Sequence, residues 1–502
     1  MRRTRASLLA SLAVATAALA PIAAIATLAL GADVAFDIRS LGILTHTVLL
    51  AGLSVAGAVL LGVPLAVLTT YADLPLRRLW VAALAAPLAI PSYIGAFAYF
   101  AAFGPGGELD RLIGLPSPRI EGLAGSALIM SLYTYPFVLL STRAALQSLD
   151  GSVVDAARTL GLSLPAALWH VVLPRARNGI AAGALLVALY ALSDFATPAI
   201  MGLDTFTRMI YVEYNAFGLD RAAMMSLQLL ALVVIVLWLE ARVRVRRERF
   251  GRRVHLPLST GARRLALAVA AAVVMATVVV PLAVFGLWLA REGAIGFEAS
   301  FAFNSAYAAG LAAAVTLVVA VPVAHAATTG GLGRLCERIT YLGFGVPGIV
   351  MGTALVYIGL RLPLLYQTLA LLVLAYVLRF LPLAVGAVRA SSDRVEDSMV
   401  GAARSLGAGP AEAFRRVSLP LILPGVIAAA ALVFLEAMRE LPATLLLRPT
   451  GFDTLATYLW RVYDAGQLGR GAVPALALVA ISAAALAIML AGESRRRRLT
   501  PL

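Results

Sequence analysis

Apolar residues run through this chain in blocks long enough to cross a bilayer, with polar residues confined to the intervals. A spanning helix needs about 20 predominantly apolar residues. Runs near that length recur near 8–30, 48–69, 81–103, 123–141, 179–200 and 224–239. They resume near 265–290, 305–328, 338–360, 366–389, 423–441 and 472–492. The pattern predicts an all-α polytopic membrane protein of about twelve transmembrane helices. The first run follows Met-Arg-Arg-Thr-Arg and has the outline of a secretory signal. Its apolar length exceeds a signal core, so an uncleaved first span is expected.

The intervals alternate in charge. Residues 31–44 carry Asp33, Asp37 and Arg39, and residues 104–122 carry Glu108, Asp110, Arg111, Arg119 and Glu121, both net acidic. Arg77 and Arg78 mark the loop between them as cytoplasmic by the positive-inside tendency. Residues 202–222, with Asp204, Arg208, Glu213, Asp220 and Arg221, return to the outside. Residues 240–264 hold nine arginines against Glu240 and Glu248, a topology-setting linker, and Arg495 to Arg498 close the chain inside. Both termini are thus expected in the cytoplasm.

Two polar stretches on the arginine-rich side repeat one another. One reads Asp155-Ala156-Ala157-Arg158-Thr159-Leu160-Gly161 and runs to Leu173-Pro174; the other reads Gly401-Ala402-Ala403-Arg404-Ser405-Leu406-Gly407 and runs to Leu419-Pro420. The step from first alanine to proline is 18 in both, and the copies are displaced by 246. Ser152 with Asp155, and Asp393 with Glu396, offer capping-box-like starts for a short helix. Gly161 and Gly407 suit the left-handed residue that ends one. A second short helix can begin at Pro165 or Pro410 and is expected to stop before Pro174 or Pro420. Small residues at the bend would let another protein's surface come close.

The repeat extends further. Gly52 and Pro64 align with Gly310 and Pro322 at an offset of 258, and Pro136 and Arg143 with Pro382 and Arg389 at 246. Two parallel six-helix repeats follow, with a pathway expected at their interface. The boundaries are an N-terminal helix and external loop (1–42), a first permease-like unit (43–240) and the linker (241–264). An additional helix and loop (265–302), a second unit (303–492) and a basic tail (493–502) complete the chain.

Composition narrows the chemistry. Hydrophobic residues make up 61% and charged residues 13%, and the net charge of +15 comes from arginine, since the chain has no lysine. In a soluble protein that balance would suggest nucleic acid; here it follows topology. A P-loop needs its lysine, so an ATPase would have to be another chain. Cys336 is alone, which excludes an internal disulfide, and His46, His170, His255 and His325 are scattered. No metal site or catalytic set can be named.

The doubled Ala-Ala, glycine, Leu-Pro pattern resembles the cytoplasmic coupling loop of bacterial ABC importer permeases, whose consensus begins with Glu where this chain has Asp155 and Gly401. Two further pairs of segments are similar to the fused, double-length permeases of ferric-iron importers. They are Ala191–Pro198 with Asp204–Arg208, and Glu440–Pro449 with Phe452–Thr457. Ala196 stands where the family more often has glycine. The resemblance covers most of the chain. It implies type I importer permease architecture in a bacterial inner membrane, no cofactor on this chain, and ATP used by two copies of a cytoplasmic ATPase. It also implies a periplasmic or extracellular iron-binding protein and coupling roles for Asp155, Ala156, Ala157, Gly161, Leu173 and Pro174. The same roles fall to Gly401, Ala402, Ala403, Gly407, Leu419 and Pro420. Thiamine importers use a similar fused permease. An ion-gradient-driven transporter would leave the paired stretches unexplained, and a membrane enzyme or scaffold lacks a clustered catalytic set.

Ionisable groups inside spans are costly and therefore informative. Asp194, Arg379, Glu436, Arg439 and Glu440 lie there, and the offset of 246 relates Tyr190 and Asp194 to Glu436 and Glu440. Four-residue spacing would put each pair on one helix face. These four residues form a candidate relay for a hard cation or, alternatively, charge pairs with Arg439. Reporter fusions at residues 110, 215 and 455 are expected to read as external, and those at 160, 250 and 410 as cytoplasmic. One reversed site would break the twelve-span topology.

Overall fold

The computed structural model describes residues 2–31, 38–104, 107–114, 118–243, 256, 258–392, 395 and 397–499. The first half runs α1 (Arg2–Ala29), α2 (Ile38–Tyr71), α3 (Arg77–Ala85), α4 (Ser92–Phe103), α5 (Glu108–Ile113) and α6 (Gly122–Gln147). It continues through α7 (Ser152–Thr159), α8 (Leu164–Ala167), α9 (Leu173–Ser193), α10 (Ala196–Ile200), α11 (Phe206–Asn215) and α12 (Leu219–Glu240). The second half begins with α13 (Thr260–Val274), α14 (Val280–Glu292), α15 (Ala299–Thr329), α16 (Gly331–Gly345), α17 (Gly348–Arg361) and α18 (Leu369–Ser392). It ends with α19 (Asp397–Ser405), α20 (Pro410–Ala413), α21 (Leu419–Met438), α22 (Pro442–Leu447), α23 (Leu455–Asp464) and α24 (Ala472–Leu499). No named strand occurs among the described residues.

Among the described residues ten helices are long and apolar enough to span a membrane, and two bent pairs, each taken as one span, bring the number to twelve. The bent pairs correct the expectation of straight spans at 81–103 and 338–360. α3 with its following turn meets α4 at 88°, and α16 meets α17 at 105°. The cause is the same in each. Pro91 and Pro347 lack the N–H that would continue the ladder, and each is extended, at φ −55, ψ 140 and φ −56, ψ 145. Each then serves as the start of the next helix.

A second correction concerns Pro174 and Pro420. The helix does not stop before either. α8 and α9 join through a π-turn at Leu168–Val172, giving a continuous helix Leu164–Ser193, and α20 joins α21 through a π-turn at Phe414–Ser418. A turn wound i to i+5 accommodates a residue that cannot donate and whose ring crowds the carbonyl four positions back. The interval 202–222, read as loop, contains α11 and the start of α12, and α23 is its counterpart.

Glycines set the closest helix approach. A Cβ on Gly179 would lie 2.5 Å from Ala145 Cβ, and its repeat partner Gly425 meets Ser391 in the same way. Small residues at such crossings let backbones touch where lipid supplies no hydrophobic drive. The first helices of the two halves are exchanged. α1 packs on α15, α16 and α17 of the second half, and α13–α14 packs on α3 and α4 of the first. Glu108 ties this exchange, accepting from Trp288 Nε1 at 3.0 Å and from Arg291 Nη1 at 2.5 Å. Within the 241–264 linker, Leu256 N–H donates to Tyr71 O at 2.9 Å. Residues 244–255 and 257, including six of its arginines, lie outside the described residues.

Candidate functional site

The two repeated bends fold alike. α7 ends with Leu160 N–H donating to Ala156 O, Gly161 N–H to Arg158 O and Leu162 N–H to Ala157 O. α19 ends with Leu406 N–H to Ala402 O, Gly407 N–H to Arg404 O and Ala408 N–H to Ala403 O. This is the Schellman pattern, and the glycines sit at φ +92 and +91. The leucine before each glycine projects into the open, Leu160 at 86% and Leu406 at 89% exposure. Ala157 is buried against its own half, while Asp155, Ala156, Pro174, Gly401, Ala402, Leu419 and Pro420 are exposed; Leu173 and Ala403 are half-buried. The expected capping box at Ser152 is absent: Gly151 is the cap residue, and Asp150 Oδ1 accepts from Ser152 N–H at 3.0 Å. Asp393 and Glu396 lie outside the described residues.

All four pathway candidates line one cavity of about 170 Å³, bounded also by Ser92, Tyr93, Phe195, Arg379 and Arg439. Only Tyr190 and Glu436 are on helices, however. Asp194 and Glu440 lie past the ends of α9 and α21, because the chain breaks there to start α10 and α22. Each acid caps the helix it precedes. Asp194 Oδ1 accepts from Thr197 N–H at 3.1 Å, and Glu440 accepts from Ala443 N–H at 3.2 Å and Thr444 N–H at 3.0 Å. Amides freed at a helix start need such acceptors away from water.

The arginines complete the site. Arg379 Nη1 donates to Glu440 Oε1 at 2.6 Å, with Glu440 buried. Arg439 pairs with Glu436, not with its neighbour Glu440. It also reaches across to the first half, where Nη1 donates to Leu88 O at 2.8 Å. That carbonyl would have accepted from Ser92 N–H in an unbroken helix, so the break and the arginine answer each other. Arg379, which no sequence motif marks, stands at the cavity wall with Glu440 as its partner. Among the described residues no three His, Cys, Asp or Glu side chains converge as a metal cage.

An aromatic seam adjoins the cavity through Phe195, which lines it. Phe195 touches both Tyr211 and Trp460, at 4.8 Å between centroids in each case. Tyr211 and Trp460 meet edge-on at 5.8 Å, and Tyr463 OH donates to Ile200 O at 3.2 Å. The seam joins α10 and α11 of one half to α23 of the other.

Comparisons agree with this architecture. The family described as binding-protein-dependent transport system inner membrane component matches residues 58–291 and 328–498. Over 467 residues the chain is 31% identical to an Fe(3+)-transport system permease protein of Haemophilus influenzae, covering 90% of each. Over 480 residues it is 25% identical to a probable ABC transporter permease protein of Sinorhizobium fredii, covering 86% of this chain and 83% of that one. A probable molybdenum ABC transporter permease protein of Haloferax volcanii is 30% identical over 221 residues, 43% of this chain and 81% of its own length.

Removing one partner of a buried ion pair strands the other charge, at about 3–5 kcal/mol. Arg379→Met is therefore expected to lower thermal stability in detergent markedly, and adding Glu440→Gln to restore most of it. Equal stability of the single variant and the wild type would show that the pair is not held as described.

Proposed function

Because the chain belongs to the family of binding-protein-dependent transport system inner membrane components, we propose that it is the fused permease of an ATP-driven importer of ferric iron. One observation carries the reading: a bend of identical geometry, built twice, on a chain whose relative of matching length is a Fe(3+)-transport permease. Both family matches and both bends lie in one polypeptide, so a single chain supplies the two halves of the pathway.

In this reading two copies of a cytoplasmic ATPase take the bends formed by Asp155–Gly161 and Gly401–Gly407. The protruding Leu160 and Leu406 supply apolar anchors, and the left-handed glycines set the angle at which each helix presents itself. Leu173-Pro174 and Leu419-Pro420 sit where the bend passes without interruption into a long span. A push on the bend is thereby delivered along α9 and α21 to the cavity, since packed helices move as rigid pieces. A periplasmic or extracellular iron-binding protein delivers cargo at the opposite face. The aromatic seam of Phe195, Tyr211, Trp460 and Tyr463 must part to admit it. Both termini lie in the cytoplasm, following the arginine distribution.

The function is tested by labelled uptake in proteoliposomes holding this chain, the ATPase and the binding protein. Ferric iron should accumulate with ATP hydrolysis, and thiamine should not; the reverse result would overturn the cargo. The bends are tested separately by Gly161→Val with Gly407→Val, where a β-branched residue in the left-handed region costs about 1–2 kcal/mol. The complex should still insert, yet lose most of the ATPase stimulation caused by loaded binding protein. Full stimulation in the double variant would remove the coupling role.

A further inference from the structure

The two walls of the central cavity occupy equivalent places in the repeat, but their chemistry differs. Ser92, Tyr133, Tyr190, Ser193 and Asp194 of the first half correspond to Gly348, Arg379, Glu436, Arg439 and Glu440 of the second. In the second half each carboxylate has a guanidinium partner. In the first, Asp194 receives only neutral donors: Ser92 Oγ at 2.5 Å, Thr197 Oγ1 at 2.7 Å and Thr197 N–H at 3.1 Å. The exchange is steric as well as electrostatic. A Cβ on Gly348 would overlap Glu440 Oε1 and lie 2.7 Å from Arg379 Nη1, so a serine there would force the ends of this ion pair to shift.

Oxygen atoms gather on the first-half wall. Ser92 Oγ lies 3.3 Å from Tyr190 OH as well as against Asp194. Tyr93, beside Ser92 on the same wall, has a buried hydroxyl with no hydrogen-bond partner among the described residues. Asp194 is partly open to the cavity, whereas Glu440 is 5% exposed. With three carboxylates against two guanidinium groups, the uncompensated formal charge belongs to Asp194.

We propose that Ser92, Tyr93, Tyr190 and Asp194 form a one-sided contact for a hard cation in transit. In this proposal Arg379 and Arg439 withhold Glu440 and Glu436 from it. The proposal rests on the ferric-iron reading above and narrows the four-residue relay to one wall. Carboxylate, phenol and hydroxyl oxygens are the donors a hard cation prefers. A site used for passage must also release its ion, which demands weak binding. A ring of three free carboxylates would hold a trivalent ion tightly. One carboxylate facing two arginines attracts it and lets it go.

The test uses the complete complex in proteoliposomes, with ferric iron and its binding protein. Asp194→Asn, which keeps an oxygen for the Thr197 amide, should lower iron uptake by about tenfold, while stimulation of the ATPase by loaded binding protein persists. Ser92→Ala and Tyr93→Phe together should do the same, and Ser92→Thr should retain uptake. Arg379→Met with Glu440→Gln, which removes one charge of each sign from the second wall, should lower uptake clearly less than Asp194→Asn does. Unchanged uptake in Asp194→Asn, or a loss in the second-half double variant as large as in the first-half variants, would overturn the one-sided contact while leaving the importer reading intact. A wild-type complex that hydrolyses ATP but moves no ferric iron would overturn both.

Discussion

A backbone amide or carbonyl without a partner costs several kcal/mol in hydrocarbon, and this chain interrupts its helices at four places around one cavity. Pro91 and Pro347 break the ladders of two spans; Asp194 and Glu440 stand where two more give way to short helices. At three of these four places a side chain answers the break. Asp194 and Glu440 accept the amides of α10 and α22, and Arg439 takes the carbonyl of Leu88. Introducing these charges creates a second debt, met by Arg379 for Glu440 and by Glu436 for Arg439. The polar cluster at the cavity is therefore first a consequence of bending helices inside a bilayer.

In the proposed reading, that origin would have structure and transport share the same atoms. Helix breaks give the cavity its width and supply polar groups facing inward, as discontinuous helices do in transporters generally. Duplication then allows the two copies to diverge. The first half kept a serine at the break and a tyrosine on the neighbouring helix, whereas the second has a glycine and an arginine at those places. A homodimer of single-length permeases could not hold this difference. Fusion of the halves makes an asymmetric pathway possible.

Connections between the halves include three of different strength. The exchanged helices α1 and α13–α14 each pack on several helices of the other half, with Glu108 held by Trp288 and Arg291. At the cavity the link from Arg439 to Leu88 is a single hydrogen bond. The aromatic seam is packing, with one hydrogen bond from Tyr463. Extended apolar contact resists separation, while a few ring contacts and isolated hydrogen bonds part at modest cost. If the halves rock as an importer requires, the seam is the contact that gives way at least cost.

Hydropathy alone determined the helical class and the approximate spans, because hydrocarbon admits no other backbone solution to so many apolar runs. The doubled bend was equally legible: a glycine required at positive φ, a proline at fixed distance and small residues between them are local demands, and Gly161 and Gly407 meet them. Local signals failed where partners are distant. The carbonyl freed at the 88° break of Pro91 is taken by Arg439, 348 positions later, which no local signal announces. Pro174 looked like a helix end and is not, since a π-turn passes it. The same spacing that put Asp194 and Glu440 on a helix face overlooked that each is needed to start the next helix. Which acid carries a counter-charge could not be read from adjacency, for Arg439 neighbours Glu440 in sequence yet pairs with Glu436. The exchange of α1 and α13–α14 between halves was beyond sequence altogether, because apolar helix surfaces of similar composition do not name their partners; only the packing of the whole bundle decides among them.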